Sequence, residues 1–319
     1  MARNLRDALR QPAPPLSELL RREGGLCALR QPKPCCQGLG YRVFSDASFV
    51  RAEVCDCVRQ CPVCLGKCLR PVASPDGNYD PAAAMEACVP HAPHRVIRAL
   101  NEARVPSHYA EATLENFTNL SGNGAEVLRG LRQWLSSFVL GQSKGIILSG
   151  AVGVGKTHLL TSVTKTLAMR GVNVRFVDFY QLLAEIRDGY ASKQSELDII
   201  QPLVDLDVLV IDEMGKGPST DWPVSILDQI VDGRDKRRMP IIASTNYTLG
   251  PSTGASSRAA IDLEGPAKQF SPDMFTSLEA RVGARIYSRL LGMCHTVELK
   301  GKDWRRNPSR AGTGTGSAR

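Results

Sequence analysis

The sequence predicts an α/β domain with a mainly parallel sheet covered on both faces, behind a small cysteine-rich module stapled by metal. Three observations predict it. From about residue 110 to residue 304, short continuous apolar runs alternate with stretches of helical periodicity. That alternation is how strands buried on both faces alternate with crossover helices. One such run passes directly into a glycine-rich loop, Gly150-Ala-Val-Gly-Val-Gly-Lys-Thr157, and then into helical spacing at Leu159, Leu160 and Val163. Finally, nine of the ten cysteines fall between residues 26 and 94.

Residues 1–25 are rich in Arg, Pro and Leu and read as a flexible N-terminal segment. Residues 26–94 read as the metal-binding module. Its clearest unit is Cys61-Pro-Val-Cys64-Leu-Gly66: a C-x-x-C turn places two thiolates on one metal, and the glycine permits a tight knuckle. Cys88-Val-Pro-His91 follows after about 23 residues and supplies two further soft ligands, with Cys68 as a substitute. Cys61, Cys64, Cys88 and His91 are therefore the expected ligands of a structural Zn²⁺. A worn copy of the same plan lies upstream, at Cys36-Gln-Gly-Leu-Gly40, where Lys33 stands in place of the first cysteine. Cys35 or Cys27 could take that place, and Cys55-Asp-Cys57 would complete a second zinc site with Cys36. Ten cysteines in a chain expected in the cytosol argue for metal rather than disulfides.

Residues 94–104 read as a helix ended by Pro106, and residues 124–139 as another. Residues 145–149 read as a buried strand leading into the loop Gly150–Thr157, whose G-x-x-x-x-G-K-T spacing between strand and helix is the context of a phosphate cradle. Its glycines allow successive N–H groups to point at one anion, and the helix adds its positive end. Gly150, Ala151, Val152, Gly153, Val154, Gly155, Lys156, Thr157 and His158 are the expected nucleotide contacts. Lys156 would reach the β- and γ-phosphates of ATP, and the Thr157 hydroxyl would hold Mg²⁺.

Residues 172–178 predict a second strand and residues 179–204 a helical stretch. Residues 207–213, Asp-Val-Leu-Val-Ile-Asp-Glu, form the most apolar strand and end in two carboxylates. Asp212 would position Mg²⁺ through its water shell, and Glu213 would act as general base on the attacking water. A helix starting near Val224 ends in the basic run Arg234-Asp-Lys-Arg-Arg238, whose plain reading is a solvated helix end favoured by the macrodipole and whose sharper reading is a contact with nucleic acid or a neighbouring subunit. Residues 240–246 form another buried strand, putting Asn246 beside Asp212, within reach of the γ-phosphate or the attacking water. Residues 248–270 read as a surface loop, residues 273–291 as a helix carrying Arg281, Arg285 and Arg289, and residues 294–299 as the last strand. The basic tail 305–319 reads as disordered.

The formal charge of +8 favours an anionic partner, nucleic acid first. No run approaches the roughly 18 apolar residues of a membrane span, and the N-terminus lacks an apolar signal core. The expected location is cytoplasmic, with no membrane partner.

The order of these parts resembles the AAA+ ATPases, in particular the helicase loaders of the DnaC/DnaI type and the related IstB transposition ATPases, over residues 95–305. The carriers are Asn101-Glu-Ala-Arg-Val-Pro-Ser-His-Tyr109 with Ala112-Thr-Leu-Glu-Asn-Phe117, the loop Gly150–Thr157 with His158-Leu159, Val210-Ile-Asp-Glu-Met-Gly215, Ala243-Ser-Thr-Asn246, Tyr287-Ser-Arg289-Leu290 and Leu299-Lys-Gly-Lys-Asp-Trp-Arg305. The resemblance implies a P-loop AAA+ three-layer domain over residues 95–304, without a helical lid, and self-association through ATP at subunit interfaces. It implies that Asn246 is the sensor 1 residue and that Arg289, with Arg285 as fallback, is the arginine finger completing a neighbour's site. It further implies that the helices of residues 179–204 face single-stranded DNA, and that the cysteine-rich module docks on a replicative DNA helicase hexamer. The expected function is ATP-dependent loading of that helicase. A transposase helper, or a zinc-dependent nucleic-acid adaptor with ATP as a structural ligand, are the alternatives.

Overall fold

Every buried strand expected from the apolar runs forms in the computed structural model, which describes residues 36, 39–56, 69–71, 85–87, 93–118, 122–217, 220–250 and 277–304. The chain divides into two units, Met1–Ala112 with Trp134–Val139 and Thr161–Arg175, and Thr113–Gln133 with Leu140–Leu160 and Phe176–Arg319.

In the first unit, β1 (Tyr41–Ser45) and β2 (Val50–Val54) form an antiparallel hairpin, with Tyr41 opposite Val54. A helix, α1 (Pro93–Glu102), packs on it. The Asn101 carboxamide accepts from the Ala52 N–H at 2.8 Å and donates to the Ala52 carbonyl at 3.1 Å. It completes the edge of β2 much as a neighbouring strand would. The Val50 N–H donates to the Val105 carbonyl at 2.8 Å, extending that cover. A second hairpin pairs β3 (Leu69–Pro71) with β4 (Met85–Ala87). The boundary expected between residues 94 and 95 lies within α1. The Lys165 ammonium donates to the carbonyls of Tyr109 and Ala110 at 3.0 and 2.5 Å, fastening the 3₁₀ turn Ser107–Tyr109. Burial pulls its pKa down to about 8 because a charge without solvent is costly.

The strands β5 (Gly145–Ser149), β6 (Val174–Asp178), β7 (Val208–Asp212), β8 (Ile241–Thr245) and β9 (Cys294–Glu298) form one sheet in the order β6-β7-β8-β5-β9. The pairs β7–β8, β8–β5 and β5–β9 are parallel. All residues of β5, β7 and β8 are buried, so both faces of the sheet are covered, as continuous apolar strands require. Ile147, Leu209, Ile211, Ile241 and Ala243 share one core with Phe179, Leu182, Leu203, Leu227 and Ile230. The helices are α2 (Gly124–Ser137), α3 (Lys156–Met169), α4 (Phe179–Ala191), α5 (Glu196–Val204), α6 (Asp221–Lys236), α7 (Leu278–Val282) and α8 (Ala284–Met293).

Several expected boundaries shift for local reasons. The stretch 179–204 is two helices, because Ser195 caps α5 through a reciprocal box with Asp198 and Lys193 adopts a φ of 58°. The helix expected over 273–291 is also broken, at Gly283, with φ 86°. Its first residues, and most of the expected loop 248–270, lie outside the described residues, as do residues 1–25 and 305–319. The second strand starts at Val174 rather than residue 172. The basic run is not a solvated helix end throughout: Arg234 is fully buried. Its guanidinium donates to the carbonyls of Leu203, Leu206 and Pro240 at 2.8, 3.0 and 2.8 Å, joining the end of α5 to the starts of β7 and β8. Burial lowers its pKa to about 10. Among the described residues, no helix is long and apolar enough to cross a membrane.

Candidate functional site

The expected phosphate loop lies between the C-terminal end of β5 and the first turn of α3, at the edge where open α/β sheets place their ligands. Gly153 and Gly155 have φ of 78° and 103°, which residues with a Cβ avoid. A Cβ on Gly155 would also lie 2.6 Å from the Phe117 ring. Val154 is fully buried and anchors the loop, whereas Val152 stands 56% exposed at its tip, next to exposed Ala151. The Lys156 ammonium donates to the carbonyls of Gly150 and Ala151, both at 2.8 Å. His158 Nε2 lies 2.9 Å from the Thr113 carbonyl, with its ring against Phe117 at 5.5 Å between centroids.

Asp212, the last residue of β7, is buried. The Thr157 hydroxyl donates to one of its carboxylate oxygens at 2.9 Å, and the Ser244 hydroxyl donates to the other. Burial nevertheless holds the Asp212 carboxyl above the usual carboxylate range. A buried carboxylate beside a hydroxyl is an oxygen donor set suited to a hard divalent cation, which would relieve that cost. These residues fit Mg²⁺.

Glu213 begins a turn at a φ of 54°, a left-handed conformation that costs a residue with a side chain about 1 kcal/mol. Its neighbour strand holds it there. The Glu213 N–H donates to Ser244 Oγ at 3.1 Å, the Met214 N–H to the Ser244 carbonyl at 2.8 Å, and the Thr245 hydroxyl to the Met214 carbonyl at 3.0 Å. The Glu213 carboxylate pairs with Lys216, whose pKa rises chiefly through that hydrogen bond. Asn246 stands exposed at the end of β8 and lines a groove of ≈ 490 Å³ with Ser149, Gly150, Ala151 and Glu298.

The structure thus brings the loop, Asp212, Glu213 and Asn246 to one edge of the sheet. Arg289 is placed elsewhere: on α8 it pairs with Asp228 and Asp232 of α6, at 3.4 and 2.7 Å. Arg285 pairs with Asp228 as well. Of the expected zinc ligands, Cys36 and Cys55 are buried at the open end of the β1–β2 hairpin. Cys57, Cys61, Cys64, Cys88 and His91 lie outside the described residues. Among the described residues, no group of three or more His, Cys, Asp or Glu side chains could hold a metal ion.

Sequence reasoning missed Ser244 and Thr245 as the residues that fasten the Glu213 turn. The signal was present, since a hydroxyl in a fully buried strand needs a partner. It also missed the segment after β9. The Asn123 side chain donates to the Glu298 carbonyl and accepts from the Lys300 N–H, both at 2.7 Å, and the Trp304 N–H then donates to the Gly153 carbonyl at 3.1 Å. No local pattern announces a contact over such a separation.

The IstB-like ATP binding protein family matches residues 86–252, more than half of the 319 residues. The chain belongs to this IstB-like family. It is an AAA+ protein of the DnaC/IstB kind, and the matched span covers the phosphate loop, Asp212, Glu213 and Asn246. The replicative helicase loader DnaC of Escherichia coli K12 is 27% identical over 157 residues, 49% of this chain and 64% of the loader. An ATP-binding protein in an insertion sequence of Mycobacterium tuberculosis H37Rv is 31% identical over 145 residues, 43% of this chain and 54% of that protein. The chain therefore spans less than two thirds of the length of these curated relatives. Among solved structures, that of the DnaC helicase loader is 22% identical, with a TM-score of 0.48 over 60% of this chain and 99% of that one.

Proposed function

We propose that this chain hydrolyses ATP at the edge formed by residues 150–157, Asp212, Glu213 and Asn246, and that the cycle helps place a replicative helicase ring on single-stranded DNA. The observation that carries the first half is the hydrogen bond from Thr157 to buried Asp212, which puts both expected metal-directing groups beside the loop. In this reading the loop N–H groups and Lys156 hold the β- and γ-phosphates. Thr157, and Asp212 through water, would hold Mg²⁺, which would supply neutralisation of charge on the phosphate oxygens. Glu213 takes the proton of the attacking water, a contribution of about 10²–10⁴ in rate. Asn246 orients that water or the γ-phosphate. Arg289, with Arg285 as fallback, serves the site of a neighbouring subunit once copies associate.

The client rests on relatives. Similarity to replicative helicase loaders supports a helicase hexamer, with the cysteine-rich segment, residues 26–94, as a zinc-bearing docking module closed by Cys61, Cys64, Cys88 and His91. The net charge of +8 suits an assembly that meets single-stranded DNA. A second reading, a helper of a transposase, is favoured by the insertion-sequence relative.

A pull-down of the tagged full chain against the replicative helicase of its own organism, with and without ATP, followed by native mass spectrometry, decides between them. A complex that depends on residues 1–94 and carries zinc supports the loader reading. No complex under either condition, with a transposase from neighbouring genes retained instead, replaces it with the second reading.

A further inference from the structure

The turn that starts at Glu213 is held from a second direction by a residue that neither the loop spacing nor the acidic strand singles out. Arg281 lies on the short helix α7, and its guanidinium donates to the carbonyls of both Gly215 and Gly217. These are the backbone groups two and four residues beyond Glu213. Gly215 and Gly217 have φ of 86° and 132°, so the turn has positive φ at three of its five positions, and the carbonyls of both glycines lie outside any helix or strand. The fork of one arginine supplies two donors to two of its carbonyls.

The arginine is itself fixed. Its Cζ lies 5.8 Å from the centroid of the Tyr247 ring, the residue directly after Asn246. Its Cγ would be 3.1 Å from a Cβ on Gly215, so the stem packs directly on the turn. One side chain therefore spans the Glu213 turn and the end of β8 that carries Asn246. A cavity of ≈ 270 Å³ adjoins both the turn and Arg281, lined by Gly215, Lys216, Thr220, Pro223 and Arg281 among others. That space gives the turn room to move once the two carbonyls are released.

We propose that Arg281 is a positioning residue for the Glu213 carboxylate: it locks the turn of residues 213–217 against the Asn246–Tyr247 end of β8, so that the carboxylate and Asn246 address the same water. The inference rests on the reading of Glu213 as general base. It differs from a purely structural role, because loss of the lock displaces the carboxylate while leaving the phosphate loop, Thr157 and Asp212 in place. A displacement of about 1 Å at a reacting group costs on the order of a hundredfold in rate.

The test uses the full chain. Arg281→Met keeps the aliphatic stem against Tyr247 and removes both donors. Arg281→Lys keeps the charge and reaches a single carbonyl. Steady-state ATP hydrolysis and affinity for a fluorescent ATP analogue are measured for both, beside Glu213→Gln. The expected result is a kcat lowered about tenfold to a hundredfold in Arg281→Met, about threefold to tenfold in Arg281→Lys, and analogue affinity within twofold of wild type in both. A wild-type kcat in Arg281→Met, or a loss of affinity that parallels the loss of rate, overturns the proposal. If Arg281→Met melts below the assay temperature, Arg281→Lys decides alone, and a wild-type kcat there overturns it. Failure of the underlying reading looks different: Glu213→Gln then hydrolyses ATP at the wild-type rate, whatever Arg281 does.

Discussion

Two turns leave the same edge of the sheet, one after β5 and one after β7, and they are built on opposite plans. The loop of residues 150–157 carries its own conformational freedom: its positive-φ positions are glycines, its fixing residue Val154 is inside it, and Lys156 closes on its first two carbonyls. The turn of residues 213–217 puts a glutamate where a glycine would be relaxed. It is held by groups far away in sequence, Ser244 and Thr245 on β8 and Arg281 on α7. The difference teaches where binding and turnover are separable. A loop fastened by its own residues, by Phe117 and by the Trp304 N–H would hold an anion whatever happens at β8. A strained residue held by two other elements, β8 and α7, depends on both for its aim.

The largest expected effect breaks the first turn only. Lys156→Ala should lower affinity for a fluorescent ATP analogue by about a hundredfold or more, because a buried charge-assisted contact to phosphate is lost. A melting curve close to wild type would show that the loop itself stays formed. Ser244→Ala should act on the second turn. It removes the acceptor of the Glu213 N–H and a donor to Asp212, and should lower kcat about tenfold while analogue binding changes little, read from steady-state hydrolysis.

How much of this was legible in the sequence follows the same division. The place of residues 150–157 between a buried strand and a helix was legible, because spacing, flanking strand and helix all lie within one short stretch. Asp212 and Glu213 were legible as a strand end. What holds Glu213 was not, since Ser244, Thr245 and Arg281 meet their partners across long separations and a sequence pattern records no such contact. Arg234 was misjudged for a related reason. A basic run at a helix end reads as solvated, and only the packing of α5, β7 and β8 around it shows that its guanidinium is buried against carbonyls.

A smaller effect concerns the link between the turns. The Asp212 carboxyl titrates above its ordinary range in the folded chain. As pH rises through the window between the ordinary value and the raised one, the unfolded chain has given up this proton while the folded chain retains it, so stability falls with rising pH. Asp212→Asn should therefore melt higher than wild type at neutral pH, with the difference vanishing below the ordinary carboxylate pKa. The same variant should lose Mg²⁺-dependent nucleotide binding. The smallest expected effect is on strain alone. Glu213→Gly should raise stability by about 0.5 kcal/mol in denaturant titration, because glycine accepts the left-handed φ, and should abolish hydrolysis.

The comparison stands or falls on Glu213→Gln, which keeps the shape of the second turn and removes only the charge of its carboxylate. Affinity for the ATP analogue and single-turnover hydrolysis would be measured on the same preparation. Separable turns predict wild-type affinity with hydrolysis reduced by at least about a hundredfold. Hydrolysis at the wild-type rate, or affinity and hydrolysis lost together, would contradict the account.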